Sequence, residues 1–170
     1  METERLVLRE FTPADAAFVL RLLNDPGFLR HIGDKQVRTL DDAVAYLERG
    51  PMASYRAHGF GLWLVADRVA LVPLGMCGLL RREVLDDVDL GYAFLPEHQG
   101  RGYASEAGRA AVDFGFGTKQ LARILAIVRP GNEASMRVLE KLGMGERGVV
   151  QLDHQALHVF GVDAPGLHTP

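Results

Sequence analysis

The segment Leu95-Pro96-Glu97-His98-Gln99-Gly100-Arg101-Gly102-Tyr103-Ala104-Ser105-Glu106-Ala107 leads from an apolar, strand-like run through a glycine turn into a helical pattern. Such a junction binds anions for a definite reason. Glycines let the chain turn its amide N–H groups inward, and the unpaired amides of the helix's first turn add partial positive charge, so a diphosphate can be held without basic side chains. On the strand side, Val88, Leu90, Tyr92 and Phe94 alternate with Asp89, Gly91 and Ala93, which places the two sets on opposite faces. On the helix side, Ala107, Ala110, Ala111 and Phe114 recur at i, i+3, i+4 and i+7, and the pattern ends near Gly115 or Gly117.

Toward the N-terminus, Arg5 to Arg9 reads as a strand, and Thr12-Pro13-Ala14-Asp15 marks a helix start that carries to about Asn24. Asp25-Pro26-Gly27 breaks that helix. Thr39 caps a second one, with Leu40, Ala43, Val44 and Leu47 on one face and Gly50-Pro51 as its stop. Phe60 to Ala66, Val69 to Val72, Gly75 to Leu80 and Val88 to Leu95 then form an antiparallel meander with turns at Asp67-Arg68 and Asp86-Asp87. Beyond the central helix, Arg123 to Val128 reads as a buried strand and Pro130-Gly131-Asn132 opens a helix closed by Gly143. Val149 to Leu152 and Ala156 to Val162 make a terminal hairpin around Asp153-His154. The expectation is one α/β domain over residues 1–162 with a flexible C-terminal tail over 163–170.

The composition narrows the function. With 170 residues, 48% hydrophobic and 24% charged, the chain can bury a core without staples, and its single cysteine, Cys77, rules out an intrachain disulfide or a multi-cysteine zinc site. Nineteen basic against 22 acidic residues leave a net charge of -3, so a nucleic-acid backbone is not the main partner. No signal peptide or membrane-length apolar run is evident, which points to a cytoplasmic protein with no membrane partner. The third glycine of a dinucleotide fingerprint is replaced by Ser105, and neither a Gly-Lys-Ser/Thr phosphate loop nor a G-x-S-x-G elbow occurs. His31, His58, His98, His154, His158 and His168 have no metal-ligand spacing, so no metal is assigned. Cys77 reads as a small buried hydrophobe.

A second constellation is Asn132 to Met144, where Asn132, Ser135 and Leu139 share one helical face. Read alone, Asn132 is an N-cap and Ser135 a small residue on a packed face. Together with the glycine turn, the stretch resembles the GNAT superfamily of acyl-CoA-dependent N-acyltransferases. The pyrophosphate loop of that superfamily reads Q/R-x-x-G-x-G/A, matched here by Gln99, Gly102 and Ala104. Thr3 to Arg9, Leu90-Gly91-Tyr92, Gln99 to Ala107 and Asn132 to Met144 are similar to its ribosomal-protein N-terminal acetyltransferase (Rim-type) branch.

The resemblance implies a mixed, mostly antiparallel central sheet, splayed at the acyl-CoA site, with about four helices on its two faces. It implies that the amides of Gln99, Gly100, Arg101, Gly102, Tyr103 and Ala104 hold the diphosphate of acetyl-CoA, that Phe94 and Leu95 offer backbone to the pantetheine arm, and that Asn132 and Ser135 stand near the thioester. Acetyl-CoA is then a co-substrate, and the acceptor is a primary amine, either a protein N-terminus or a small molecule. Acyl transfer from a thioester to an amine needs a neutral nucleophile and a proton for the departing thiolate. Asp89 occupies the position where this branch usually has glutamate and is the candidate base, acting directly or through water. Many members place a tyrosine acid where this chain has Leu139, so Ser135 becomes the candidate for the thiolate. These two departures keep a non-catalytic acyl-CoA-binding module open as the alternative, and the chain is compatible with a homodimer.

Overall fold

The computed structural model describes residues 1–166. A seven-stranded sheet runs through it: β1 (Leu6–Arg9), β2 (Leu62–Asp67), β3 (Pro73–Leu80), β4 (Asp89–Phe94), β5 (Arg123–Val128), β6 (Gly145–Leu152) and β7 (Gln155–Asp163). The strands lie in the order β1-β2-β3-β4-β5-β7-β6. Every neighbouring pair is antiparallel except β4 and β5, which are parallel and share the single registered pair Asp89↔Leu125. The mixed, mostly antiparallel α/β sheet expected from the sequence is therefore present.

Six α-helices accompany it: α1 (Ala16–Leu23), α2 (Pro26–His31), α3 (Leu40–Arg49), α4 (Pro51–His58), α5 (Tyr103–Gly117) and α6 (Glu133–Lys141). The expectation is about four, with Pro26 and Pro51 read as breakers. Each instead stands at the first position of a short helix, where its fixed φ suits the helix and its missing N–H would have been unpaired anyway. Asp25 caps α2 by accepting from Gly27 N at 2.9 Å and Phe28 N at 3.2 Å. Thr39 caps α3 reciprocally: its Oγ1 accepts from Asp42 N at 3.1 Å, and Asp42 Oδ2 accepts from Thr39 N at 3.0 Å. Val69 to Val72, read as a strand, is the β2–β3 turn. Asp67 Oδ1 accepts from Val69 N and Ala70 N, and Leu71 takes a left-handed φ of 57°. At the C-terminal end, Asp163 closes β7, bound to Arg123 Nε at 2.5 Å and to Arg147 Nη2 at 2.8 Å. Residues 167–170 of the expected tail lie outside the described residues.

Strand alternation divides the core into two. Leu8, Val65, Cys77, Leu79, Leu90 and Ile124 pack under α5 and α6. Leu64, Met76, Ala93 and Leu95 pack under α1, α2 and α3 through Val19, Leu22, Phe28 and Leu47. Cys77 is fully buried, and burial pushes its thiol well above the ordinary range. Within the sheet, Gly78 lies opposite both Leu62 on β2 and Gly91 on β4. A Cβ at Gly78 would collide with the Gly61 carbonyl oxygen and lie 2.8 Å from Leu62 Cα. Both neighbours are backbone and cannot swing away. Gly78→Ala is therefore expected to destabilise the protein by about 2 kcal/mol or more. Gly117→Ala, where a Cβ meets nothing within 4 Å, should be neutral or slightly stabilising. Denaturant unfolding of the two variants side by side checks this.

Candidate active site

Where β4 and β5 part, the sheet opens. Leu125 N still donates to Val88 O at 2.9 Å, but no registered pair follows Asp89↔Leu125. Leu95 N donates to Leu74 O at 3.0 Å, which turns the odd-numbered backbone groups of β4 toward β3. Alternation then turns Tyr92 and Phe94 toward the opening. One expectation changes here. Leu95 also accepts from His98 N at 2.9 Å, so both its backbone groups are engaged and it has no N–H to offer a ligand; Phe94 N–H does face the gap.

The glycine turn sits at the mouth of this opening. Gly100 and Gly102 have φ of 72° and 81°, and Gly102 is the N-cap of α5. Among the described residues the N–H groups of Gly100, Arg101 and Gly102 donate to no protein acceptor, and those of Tyr103, Ala104 and Ser105 belong to the unpaired first turn. Gln99 plays a different part from the one expected. Its own N–H donates to Pro96 O at 3.2 Å, while its side-chain Nε2 donates to Phe94 O at 2.9 Å and braces the turn against β4.

A clamp from the other end of the chain fixes the same turn. Glu106 Oε1 accepts from Thr3 Oγ1 at 2.6 Å and Arg5 N at 2.9 Å, and its Oε2 accepts from Arg5 Nε at 2.7 Å. Arg5 also donates to Arg101 O at 2.9 Å and lies over the Tyr103 ring at 4.7 Å. Burial tends to raise the Glu106 pKa, but these hydrogen bonds outweigh it and hold the carboxyl below its usual range.

Asp89 marks the apex of the opening. It has no exposed surface and lies on the α1–α3 face, as alternation required. Arg82 Nε donates to its two oxygens at 3.2 and 3.0 Å. Burial raises its pKa, Arg82 opposes this, and the result is about 6. The small residues beside it leave less room than their size suggests. A Cβ at Gly91 would come within 2.8 Å of Leu80 Cδ1, because Leu80 folds over that position.

On the opposite face, Asn132 Oδ1 caps α6 by accepting from Ser135 N at 3.3 Å, so the N-cap reading of Asn132 holds. Ser135 Oγ lies 2.6 Å from the Tyr92 hydroxyl, which also reaches Ser135 O at 3.1 Å. Burial pushes the Tyr92 hydroxyl up to about 12, against the opposing effect of Ser135. Leu139 is fully buried in the core. Tyr92 has no role in the sequence expectation, where alternation puts it only on the face opposite Asp89; the structure shows that this face is the one α6 covers. A cavity of about 960 Å³ joins these parts, with the glycine turn, Ser135, Asp89, Arg82 and Lys35 among its lining.

Residues 5–145 match the model of the Acetyltransferase (GNAT) domain, and the chain belongs to that family. It is an acyl-CoA-dependent N-acetyltransferase. The uncharacterized protein YkkB of Bacillus subtilis (strain 168) is 36% identical over 146 residues, covering 84% of this chain and 83% of that protein. The uncharacterized N-acetyltransferase YnaD of the same organism is 32% identical over 146 residues, covering 86% and 82%. The crystal structure of ribosomal-protein-S5-alanine acetyltransferase from Vibrio fischeri shares the fold with a TM-score of 0.80 at 19% identity, covering 99% of this chain and 98% of that one.

Among the described residues no helix is long and apolar enough to cross a membrane, and no group of three His, Cys, Asp or Glu could hold a metal ion. A β-branched side chain at Gly102 would face a φ of 81° and Arg5 Nη2 at 3.3 Å from its Cβ. Gly102→Val is expected to weaken acetyl-CoA binding at least about tenfold, the loss of one charge-assisted hydrogen bond or more, while the protein stays folded. Calorimetric titration with acetyl-CoA, beside a thermal unfolding trace, checks both halves.

Proposed function

We propose that the protein moves the acetyl group of acetyl-CoA directly to a primary amine within a ternary complex, with Asp89 and Ser135 managing the two protons. The observation that carries this reading is the line of groups along one parted strand. Unpaired amides stand at its mouth, the Tyr92–Ser135 hydroxyl pair beside its middle, and a buried acid at its apex. The diphosphate rests on the N–H groups of Gly100, Arg101, Gly102, Tyr103 and Ala104, and the pantetheine arm follows the backbone of Tyr92 and Phe94. Asn132 holds Ser135 in place by capping α6. The amine enters from the α1–α3 face, where Asp89 takes up its proton directly or through water.

As the nitrogen attacks, the N–C bond forms, the C–S bond breaks, the nitrogen's proton passes to Asp89, and the departing thiolate takes a proton through the Ser135 hydroxyl, which solvent then reprotonates. Ser135 Oγ supplies the hydrogen bond to that sulfur, and Tyr92 sets its direction by donating to the same oxygen. This hydroxyl pair does the work that a tyrosine at position 139 would do. A base with a pKa near 6 suits the task, since it is ionised near neutral pH yet still basic enough to accept a proton.

The Rim-type resemblance places a protein N-terminus among the acceptors, and the shared fold of the Vibrio fischeri ribosomal-protein acetyltransferase is compatible with it. We further take residues 1–162 as a single catalytic domain working in the cytoplasm.

Asp89 must be ionised to act, so kcat should rise with pH, reach half its plateau near pH 6 and fall about tenfold per unit below it. Asp89→Asn should remove that limb and lower kcat by roughly 10²-fold, with acetyl-CoA affinity kept. A flat pH–rate profile in the parent protein would take Asp89 out of the mechanism. Ser135→Ala and Tyr92→Phe should each lower kcat more than they weaken acetyl-CoA binding, because the bond to sulfur strengthens only as charge builds there. Their combined effect should be no larger than that of Ser135→Ala alone if Tyr92 acts through Ser135. Steady-state thiol release on the three variants measures it.

A further inference from the structure

The α1–α3 side of the cavity is lined by more cations than its acids engage. Arg82 comes from the loop after β3, Lys35 from the segment between α2 and α3, and Arg129 from the end of β5; all three line the cavity. Arg82 meets Asp89 through Nε, and among the described residues its two terminal amino groups have no protein acceptor. Lys35 makes no hydrogen bond or ion pair among the described residues. Arg129 donates to Arg30 O at 2.7 Å, which fixes its guanidinium beside α2 without neutralising it.

Arg82 and Arg129 both act on Lys35. Lys35 is exposed at the rim of the cavity; partial desolvation lowers its pKa below the ordinary value, Arg82 and Arg129 lower it further, and Asp153 opposes them. Of the acids lining the same wall, Asp25 is engaged as the cap of α2 and Asp89 by Arg82. Asp153, in the β6–β7 turn, is the remaining acid and forms no ion pair with Lys35. A polycation entering here would meet like charge. An oxyanion would instead relieve the mutual repulsion and supply the acceptors that Lys35 and Arg82 lack.

We propose that the acceptor is a primary amine carrying a carboxylate or phosphate close to the reacting nitrogen, and that Lys35, Arg82 and Arg129 are the residues that read this oxyanion. The inference rests on the reading of the Asp89 wall as the acceptor side of the site. It also gives Arg82 two tasks. Its Nε tunes and orients the base, while its outer nitrogens hold the acceptor's anion, so the amine is presented at a fixed distance from Asp89.

The test is thiol release from acetyl-CoA with matched acceptors. These are free amino acids against their carboxamides, 2-aminoethylphosphonate against ethanolamine, N-terminal peptides with Asp against Asn as second residue, and spermidine, all compared at equal concentration of neutral amine. The expected result is a kcat/KM at least about tenfold higher for the oxyanion-bearing member of one small-molecule pair than for its neutral partner, the value of one charge-assisted hydrogen bond. In Lys35→Gln that ratio should fall toward one with acetyl-CoA affinity kept, and Lys35→Arg should restore it.

Equal or better use of spermidine or of the neutral partners overturns the proposal. A preference confined to the Asp peptides overturns it for small acceptors. If acetyl-CoA binds but no acceptor releases thiol, the catalytic reading fails separately. Calorimetry of the amino acids and 2-aminoethylphosphonate on the CoA-loaded protein then decides this inference. Saturable binding that Lys35→Gln abolishes upholds it, and absence of binding overturns it.

Discussion

The parting of β4 from β5 is the constraint on which the rest of the molecule depends. A sheet interior normally pairs every backbone group, and an unpaired buried N–H or C=O costs free energy comparable to a lost hydrogen bond. Here the pairing stops after Asp89↔Leu125, so Tyr92 and Phe94 hold backbone groups open to an entering chain of ligand atoms. The opening persists because other interactions fix both of its banks. On one side, β3 pairs with β4 along its whole length from Asp89 to Phe94. On the other, β7 pairs with β5 from Arg123 to Val128. Each bank is thus fully paired on the side away from the opening.

The two ends of this opening use opposite electrostatic devices. At the mouth, positive potential comes from amide dipoles, and Gly100 and Gly102 make it available by adopting backbone angles that side-chain-bearing residues resist. Arg5, from the N-terminal segment, is bound to Glu106 and to the Arg101 carbonyl and serves to hold the turn in place. At the apex, charge is carried by side chains and controlled by burial. Removing Asp89 from water raises its pKa, and Arg82 brings it partway back to about 6. Neither influence alone gives a carboxyl that is ionised near neutrality with its pKa still raised well above the ordinary value.

Strand alternation distributes the chemistry between the two faces. Consecutive β4 residues point in opposite directions, so Asp89 faces the α1–α3 side while Tyr92 faces α6 and Ser135. The buried carboxyl and the Tyr92–Ser135 hydroxyl pair thereby lie on opposite sides of the sheet. The buried Leu139 belongs to the same arrangement. A side chain committed to the core at that position leaves the hydroxyl to come from β4 and from an earlier turn of α6.

Much of this was legible in the residues themselves. The α5 pattern from Ala107 to Phe114, the β5 run from Arg123 to Val128, the Asn132 cap and the glycine turn are local, and local propensity with a sequence-near hydrogen bond determines them. Proline was the ambiguous signal. Pro26 and Pro51 end one helix and begin another, and only the chain's later path decides which effect dominates. The sequence also put Asp89 on the opposite face from Tyr92, because that follows from the two-residue period of a strand. What it could not decide is what each side chain meets across distance. The pairing of Arg82 with Asp89 depends on the β3–β4 register, and the Tyr92–Ser135 contact depends on how α6 packs back over the opening. The gathering of Lys35, Arg82 and Arg129 likewise joins segments distant in the chain. Those contacts carry no periodicity, since they arise from packing between elements, and the tertiary structure alone settles them.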